Sequence, residues 1–218
     1  MAIETEQIRI APQGRPIVLV IAVAAVIAAM TAGLWWSAPA WLLVLVAAYV
    51  LRDPVRVTTT APLAIVSPVD GRVYSVGAAT DPYLHREALL IRMRMNLRGA
   101  YVIRSPIEGK VFDQWFAANH PPQEREPAEA RGARHRAVWV KTDEGDDITL
   151  VMHPGCWLCR PRFRTATGER VGHGQRSGFL LGGAALVDVY VPPSSRLDCS
   201  AGDRVLAGST IISTLVHK

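Results

Sequence analysis

Two stretches of the chain carry nearly the same message: Ser67-Pro68-Val69-Asp70-Gly71-Arg72-Val73-Tyr74 and, 38 positions on, Ser105-Pro106-Ile107-Glu108-Gly109-Lys110-Val111-Phe112. In each, proline fixes φ on entry to a turn, an acidic residue and glycine supply the turn chemistry, and the apolar/basic/apolar alternation reads as a strand leaving it. Strand character recurs at 63–66, 72–76, 88–95, 101–104 and 110–116, and helical pattern is scarce after residue 60. Many short strands with regular turn signals predict a mainly β domain, a sandwich or rolled sheet.

The N-terminal part is different. Residues 17–34 carry no charge, and after Trp35-Trp36-Ser37-Ala38-Pro39 a second uncharged run covers 40–51. The first run reaches the length of a bilayer crossing, and the second, taken alone, falls short of the roughly 20 residues a crossing needs. Arg9 and Arg15 flank the block on one side and Arg52 and Arg56 on the other, which favours a transmembrane helical hairpin with both ends in the cytoplasm. A single crossing stays open. The expected organisation is a cytoplasmic tail at 1–15, a membrane anchor of one or two helices at 16–51, and a β domain at 52–218.

The formal net charge of +5 lies mostly on the β domain and its junction with the apolar block. A basic domain beside a bilayer is drawn to anionic head groups, and no aromatic/basic interleaving suggests a nucleic-acid partner. Three cysteines, Cys156, Cys159 and Cys199, are an odd number and fit a reducing compartment. The Cys156-Trp157-Leu158-Cys159 spacing lacks the βαβ context of a redox motif and the second pair of a zinc site.

In Ile91-Arg92-Met93-Arg94-Met95 the alternation has period two, so one face is apolar and the other carries Arg92 and Arg94 as a solvated face. Residues 117–136 are rich in Pro, Glu, Arg and Ala and read as a long loop. Residues 137–142 and 147–152 flank Asp143-Glu144-Gly145-Asp146, a hairpin with an acidic turn. A short helix is possible in 156–164, followed by a turn at Gly168-Glu169-Arg170-Val171 and strand character over 179–192.

The order Arg52-Asp53-Pro54, Ser67-Pro68-Val69-Asp70-Gly71, Arg104-Ser105-Pro106-Ile107-Glu108-Gly109, Gly174-Gln175-Arg176-Ser177-Gly178 and Val187-Asp188-Val189-Tyr190-Val191-Pro192 resembles the short bacterial and archaeal phosphatidylserine decarboxylases. Separately, Gly202-Asp203-Arg204-Val205-Leu206-Ala207-Gly208 resembles the strand-turning segment of biotinyl/lipoyl domains and implies lipoyl-like hairpins. The decarboxylase resemblance implies a proenzyme that cuts itself at a Gly-Ser pair and converts the serine to a pyruvoyl group. That ketone acts as the electron sink for loss of CO2 from phosphatidylserine. A His and an Asp activate the serine, much as in a serine protease.

Carried onto this chain, the family's Asp falls at Asp70, its His at Tyr101, and its Ser at Ala184 or Ala185, depending on whether Gly174-Gln175-Arg176 or Val187-Asp188 anchors the register. An alanine methyl cannot attack a carbonyl, and Tyr101, of reference pKa about 10, is a poor proton acceptor at neutral pH. Ser177 is the nearest upstream serine. Asp70 is either a turn residue or a ligand for an amino head group. Gly182, Gly183 and Asp188 are the expected substrate-binding positions, the glycines leaving room for a ligand. His153 and His173 are the imidazoles nearest the family's core segments.

The resemblance therefore implies a divergent, lyase-like homologue at the cytoplasmic membrane that neither self-processes nor decarboxylates. Its expected partners are membrane phospholipid and a protein, either a second copy or an active relative. No cofactor, metal or nucleic acid is expected. The alternative is an active pyruvoyl-dependent decarboxylase making phosphatidylethanolamine through an unusual cleavage site. A carrier domain is a third reading, but Lys110 and Lys141 lack the Met-Lys neighbourhood of an attachment lysine.

Overall fold

A computed structural model describes residues 8–10, 15–54, 58, 61–96, 99–117, 135–155, 161–180 and 185–216. The chain divides into two compact units, Met1–Arg56 and Val57–Lys218.

In the first unit, β1 (Ile8–Ile10) pairs antiparallel with β2 (Arg52–Pro54) and so closes the ends of a helical hairpin. Its arms are α1 (Arg15–Ala32) and α2 (Leu34–Val50), which pack on each other. The link is Gly33 at φ 87, a left-handed conformation that glycine adopts without a Cβ clash. α2 starts before Trp35 and carries Pro39 inside it, so the two expected runs are divided at Gly33 rather than at the Trp-Trp-Ser-Ala-Pro segment. Among the described residues no helix is long and apolar enough to cross a membrane. The expected pair of full crossings is therefore not supported. With 18 and 17 residues at 1.5 Å each, the helices span about 26 Å, less than the ~30 Å hydrocarbon core.

The second unit is the expected mainly β domain. Its strands are β3 (Ala64–Val66), β4 (Gly71–Asp81), β5 (Arg86–Met95), β6 (Val102–Arg104), β7 (Gly109–Ala117), β8 (His135–Lys141) and β9 (Asp147–His153). Shorter pieces follow: β10 (Arg162–Phe163), β11 (Arg170–Val171), β12 (Arg176–Phe179), β13 (Leu186–Val191), β14 (Arg196–Leu197), β15 (Arg204–Val205) and β16 (Ile211–Thr214). A curled, antiparallel eight-stranded sheet runs β11-β7-β8-β9-β13-β5-β4-β15, with small sheets β10-β12-β6 and β14-β16-β3 beside it. The strand expected over 179–192 is two strands, β12 and β13, in different sheets. The loop expected at 117–136 and the helix at 156–164 lie largely outside the described residues.

The echo in the sequence is a repeat of backbone architecture. The two Ser-Pro segments bond each other, Arg104 N–H to the Pro68 carbonyl at 2.9 Å and Val66 N–H to that of Pro106 at 2.8 Å. In each copy the serine hydroxyl donates to the carbonyl two residues on, Ser67 to Val69 and Ser105 to Ile107, both at 2.7 Å. Each copy also receives one later turn in the same way. Val73 N–H bonds Asp203 O and Val111 N–H bonds Glu169 O, both at 2.9 Å. The strands after them bulge alike, between Val73 and Ser75 and between Val111 and Asp113.

Alternation buries Ile91, Met93, Leu150, Met152, Val187 and Val189 on one face of the large sheet. The central strand β13 is buried along its whole length, because its other face packs too, through Ala88, Ala137, Val151 and Tyr190. The glycines that open β4 and β7 are forced by close backbone approach. A Cβ on Gly71 would strike the Arg94 carbonyl, and one on Gly109 that of Lys141, whereas one on Gly77 would meet nothing within 4 Å. Gly71→Ala is expected to destabilise the domain by about 2–3 kcal/mol and Gly77→Ala to be neutral or stabilising, as thermal unfolding of the two variants in detergent will read.

Candidate functional site

Asp70 sits at the end of the first Ser-Pro turn and is 3% exposed. Its Oδ2 accepts from Ala100 N–H at 2.9 Å and its Oδ1 from Ala207 N–H at 2.8 Å, tying together two loops 107 residues apart in sequence. Asn96 N–H bonds the Asp70 carbonyl at 2.9 Å. Gly99 lies so close that a Cβ there would stand 2.7 Å from that of Asp70.

Tyr101 follows directly. It is buried, with its ring centroid 6.4 Å from that of Phe179 and its carbonyl accepting from Leu180 N–H at 2.9 Å. Ala185 is fully buried, and its carbonyl accepts from Met95 N–H at 2.9 Å, next to Asn96. Asp70, Tyr101 and Ala185 are thus gathered by the loops at the end of β5. Gly182, Gly183 and Ala184 lie outside the described residues, as do Cys156 and Cys159. Ser177 is buried and its hydroxyl donates to the Gln175 carbonyl at 3.1 Å.

Asp188 is in the middle of β13, 1% exposed, and its carboxylate forms a two-pronged pair with Arg92: Nε to Oδ1 at 2.7 Å and Nη2 to Oδ2 at 2.6 Å. His153 Nε2 stands 3.3 Å from the same Oδ2. Burial alone would raise the Asp188 pKa. The hydrogen bonds from Arg92 and His153, with their charge, outweigh it and hold the carboxyl below its ordinary value.

Arg92, read from the alternation as solvated, is 4% exposed, because the face it occupies is covered. His153 Nδ1 is buried with no hydrogen-bond partner, and its ring lies 5.4 Å from that of His135. Neither Arg92 nor His153 stood out as a partner of Asp188 in the sequence. The signal was parity along β5 and β13, useful only once their pairing is known. His173 Nε2 bonds the Ala64 carbonyl at 2.9 Å beside an open cavity of about 450 Å³ whose rim carries Glu108, Asp143 and Glu144. The Cys199 thiol is pushed up to about 11 by burial, with Asp203 and Asp198 adding to it, so at neutral pH it is an unreactive thiol.

The chain matches the family model described as phosphatidylserine decarboxylase over residues 43–213. The chain belongs to the phosphatidylserine decarboxylase family. It is 36% identical over 204 residues to a phosphatidylserine decarboxylase proenzyme of Nitrosomonas eutropha, covering 94% of each chain. Identity to the proenzyme of Nitrosomonas europaea is 33% over 204 residues, again with 94% of each covered. For that of Aromatoleum aromaticum it is 32% over 206 residues, covering 94% of this chain and 95% of the relative. No solved structure matches. These relatives of the decarboxylase family act in phospholipid metabolism, and the matched span holds Asp70, Tyr101, Ala185, Asp188 and the network around them.

Removing one partner of a buried ion pair strands the other charge, at about 3–5 kcal/mol. Asp188→Asn is expected to lower stability by that order. The folded Asp188 carboxyl titrates below the unfolded value of about 3.9. Its contribution is therefore present above about pH 4 and is lost as pH falls through the folded value. Unfolding midpoints measured from neutral to acid pH should show that acid loss in the parent chain and a flatter acid limb in Asp188→Asn.

Proposed function

We propose that this chain is a membrane-anchored member of the phosphatidylserine decarboxylase family that does not process itself and that binds phospholipid head groups through the loops at Asp70, Tyr101 and Ala185. The observation that carries this reading is the chemistry of the residues at the family's serine and histidine positions. Both candidate serine positions, 184 and 185, are alanine. With no hydroxyl there, no bond to the preceding carbonyl can form and no ester can eliminate, so the residues present do not fit a pyruvoyl group.

The tyrosine at the histidine position supports the same reading. Tyr101 is buried against Phe179, and a phenol of reference pKa about 10 does not accept a proton at neutral pH. Both Asp70 oxygens hold backbone N–H groups, a use that shapes the turn. Asp188, expected to contact substrate, is engaged by Arg92 and His153. That makes the glycines at 182 and 183 and the small side chains beside them the proposed room for a head group.

Anchoring is supported by the apolar surface of the helical hairpin. Met30, Trp35 and Trp36 are 84%, 92% and 82% exposed. Arms a few ångströms shorter than the bilayer core embed with local thinning and snorkelling of flanking residues. Arg15 and Arg52 at the two ends favour a cytoplasmic-membrane location with the β domain on the cytoplasmic side. A second copy or an active relative is the proposed protein partner.

The test offers carboxyl-labelled phosphatidylserine in mixed micelles to the full chain. The expected result is no release of CO2, no mass change on borohydride treatment, and saturable binding of a short-chain phosphatidylserine. Release of CO2 that borohydride abolishes would contradict this reading and support an active enzyme with an unusual cleavage residue.

A further inference from the structure

The repeat of backbone architecture supplies a comparison within one molecule. In each half a small strand, the strand after the Ser-Pro turn and its hairpin partner set three basic residues side by side. In the second half these are Arg170, opposite Lys110, which is opposite Lys141. In the first they are Arg204, opposite Arg72, which is opposite Arg94. Like charges directly opposite each other on neighbouring strands repel.

The second half relieves that repulsion internally. Arg170 Nη2 pairs with Asp143 at 2.5 Å, and Lys141 Nζ stands 3.7 Å from Asp147. In the first half the members of the row on β15 and β4 are not relieved in this way. Arg72 and Arg204 are exposed and, among the described residues, have no ion-pair partner. The nearest acidic side chain in sequence, Asp203, accepts from Ser200 N–H at 2.8 Å. Beside this row, apolar groups reach outward. The bulge between Val73 and Ser75 turns Tyr74 out to 51% exposure, with the Arg94 guanidinium 5.4 Å from its ring centroid, and Leu206 is 50% exposed.

We propose that the Arg204-Arg72-Arg94 row is a docking surface for an anionic lipid bilayer. The arginines meet lipid phosphates and carboxylates, while Tyr74 and Leu206 enter the interface between head groups and acyl chains. Charge complementarity selects an anionic partner. The half-exposed aromatic and aliphatic side chains select a bilayer over a fully hydrated polyanion. This goes beyond the head-group site at Asp70 and holds whether or not the chain processes itself.

The experiment follows amide hydrogen exchange of the full chain with phosphatidylcholine nanodiscs and with discs containing about 30 mol % phosphatidylglycerol. Peptides covering 198–209 are expected to exchange about fivefold more slowly with the anionic discs. About 0.5 M NaCl and the pair Arg72→Glu/Arg204→Glu should each remove the effect. The neutralised counterpart, peptides covering 166–175, should not change.

Equal exchange with both discs would overturn the proposal, as would slowing of both halves alike. Equal slowing by inorganic phosphate with phosphatidylcholine discs would also overturn it, in favour of a free-ion site. The pair Arg72→Gln/Arg204→Gln, which adds no new charge, should lose the effect too, and its unfolding midpoint separates loss of docking from loss of fold. Co-purification of the chain with the discs reports on the hairpin, so failure of the anchor and failure of the arginine row are told apart.

Discussion

The β domain depends on the reciprocal hydrogen bonds between its two Ser-Pro turns. Arg104 N–H to Pro68 O and Val66 N–H to Pro106 O join segments that local sequence cannot bring together. From that junction each copy launches a long strand, β4 or β7, that crosses its hairpin partner at glycine. Beside the junction, Asn96, Gly99 and Ala100 lie against Asp70. The candidate site is thus a by-product of the pairing, built on turns fixed from both sides.

A second constraint lies deeper in the same sheet. Arg92 and Asp188 are both nearly inaccessible, and each would carry a desolvation cost of several kcal/mol without the other. Their two-pronged geometry and the adjacent His153 fix the register of β13 against β5 and β9. A slip of one residue would move Asp188 to the apolar face and expose the network. Ala185, immediately before β13, is held in place by the same register.

Much of this was legible in the sequence, for physical reasons. Proline, acidic residue and glycine followed by alternation is a local signal, and it placed the starts of β4 and β7 within a residue. The acidic hairpin turn between β8 and β9 is local too, and Thr142 closes it by accepting from Asp146 N–H at 3.0 Å. What was not legible rests on pairing. The turns at Gly168 and Gly202 read as separate features, although they are equivalent parts of one repeated unit. Arg92 looked solvated because alternation tells which residues share a face and says nothing about what covers it. The hairpin helices were legible as apolar runs, but their division at Gly33 was not, since a lone glycine in an apolar run gives no boundary by itself.

Membership of the phosphatidylserine decarboxylase family and alanine at positions 184 and 185 pull in opposite directions, and the proposed function resolves them with an architecture that outlived its chemistry. The intact mass of the purified full chain tests this most directly. A single species at 23.7 kDa is expected of a chain that does not cut itself. Two fragments, with a break near Gly183 and a blocked, carbonyl-bearing N-terminus on the smaller one, would contradict it.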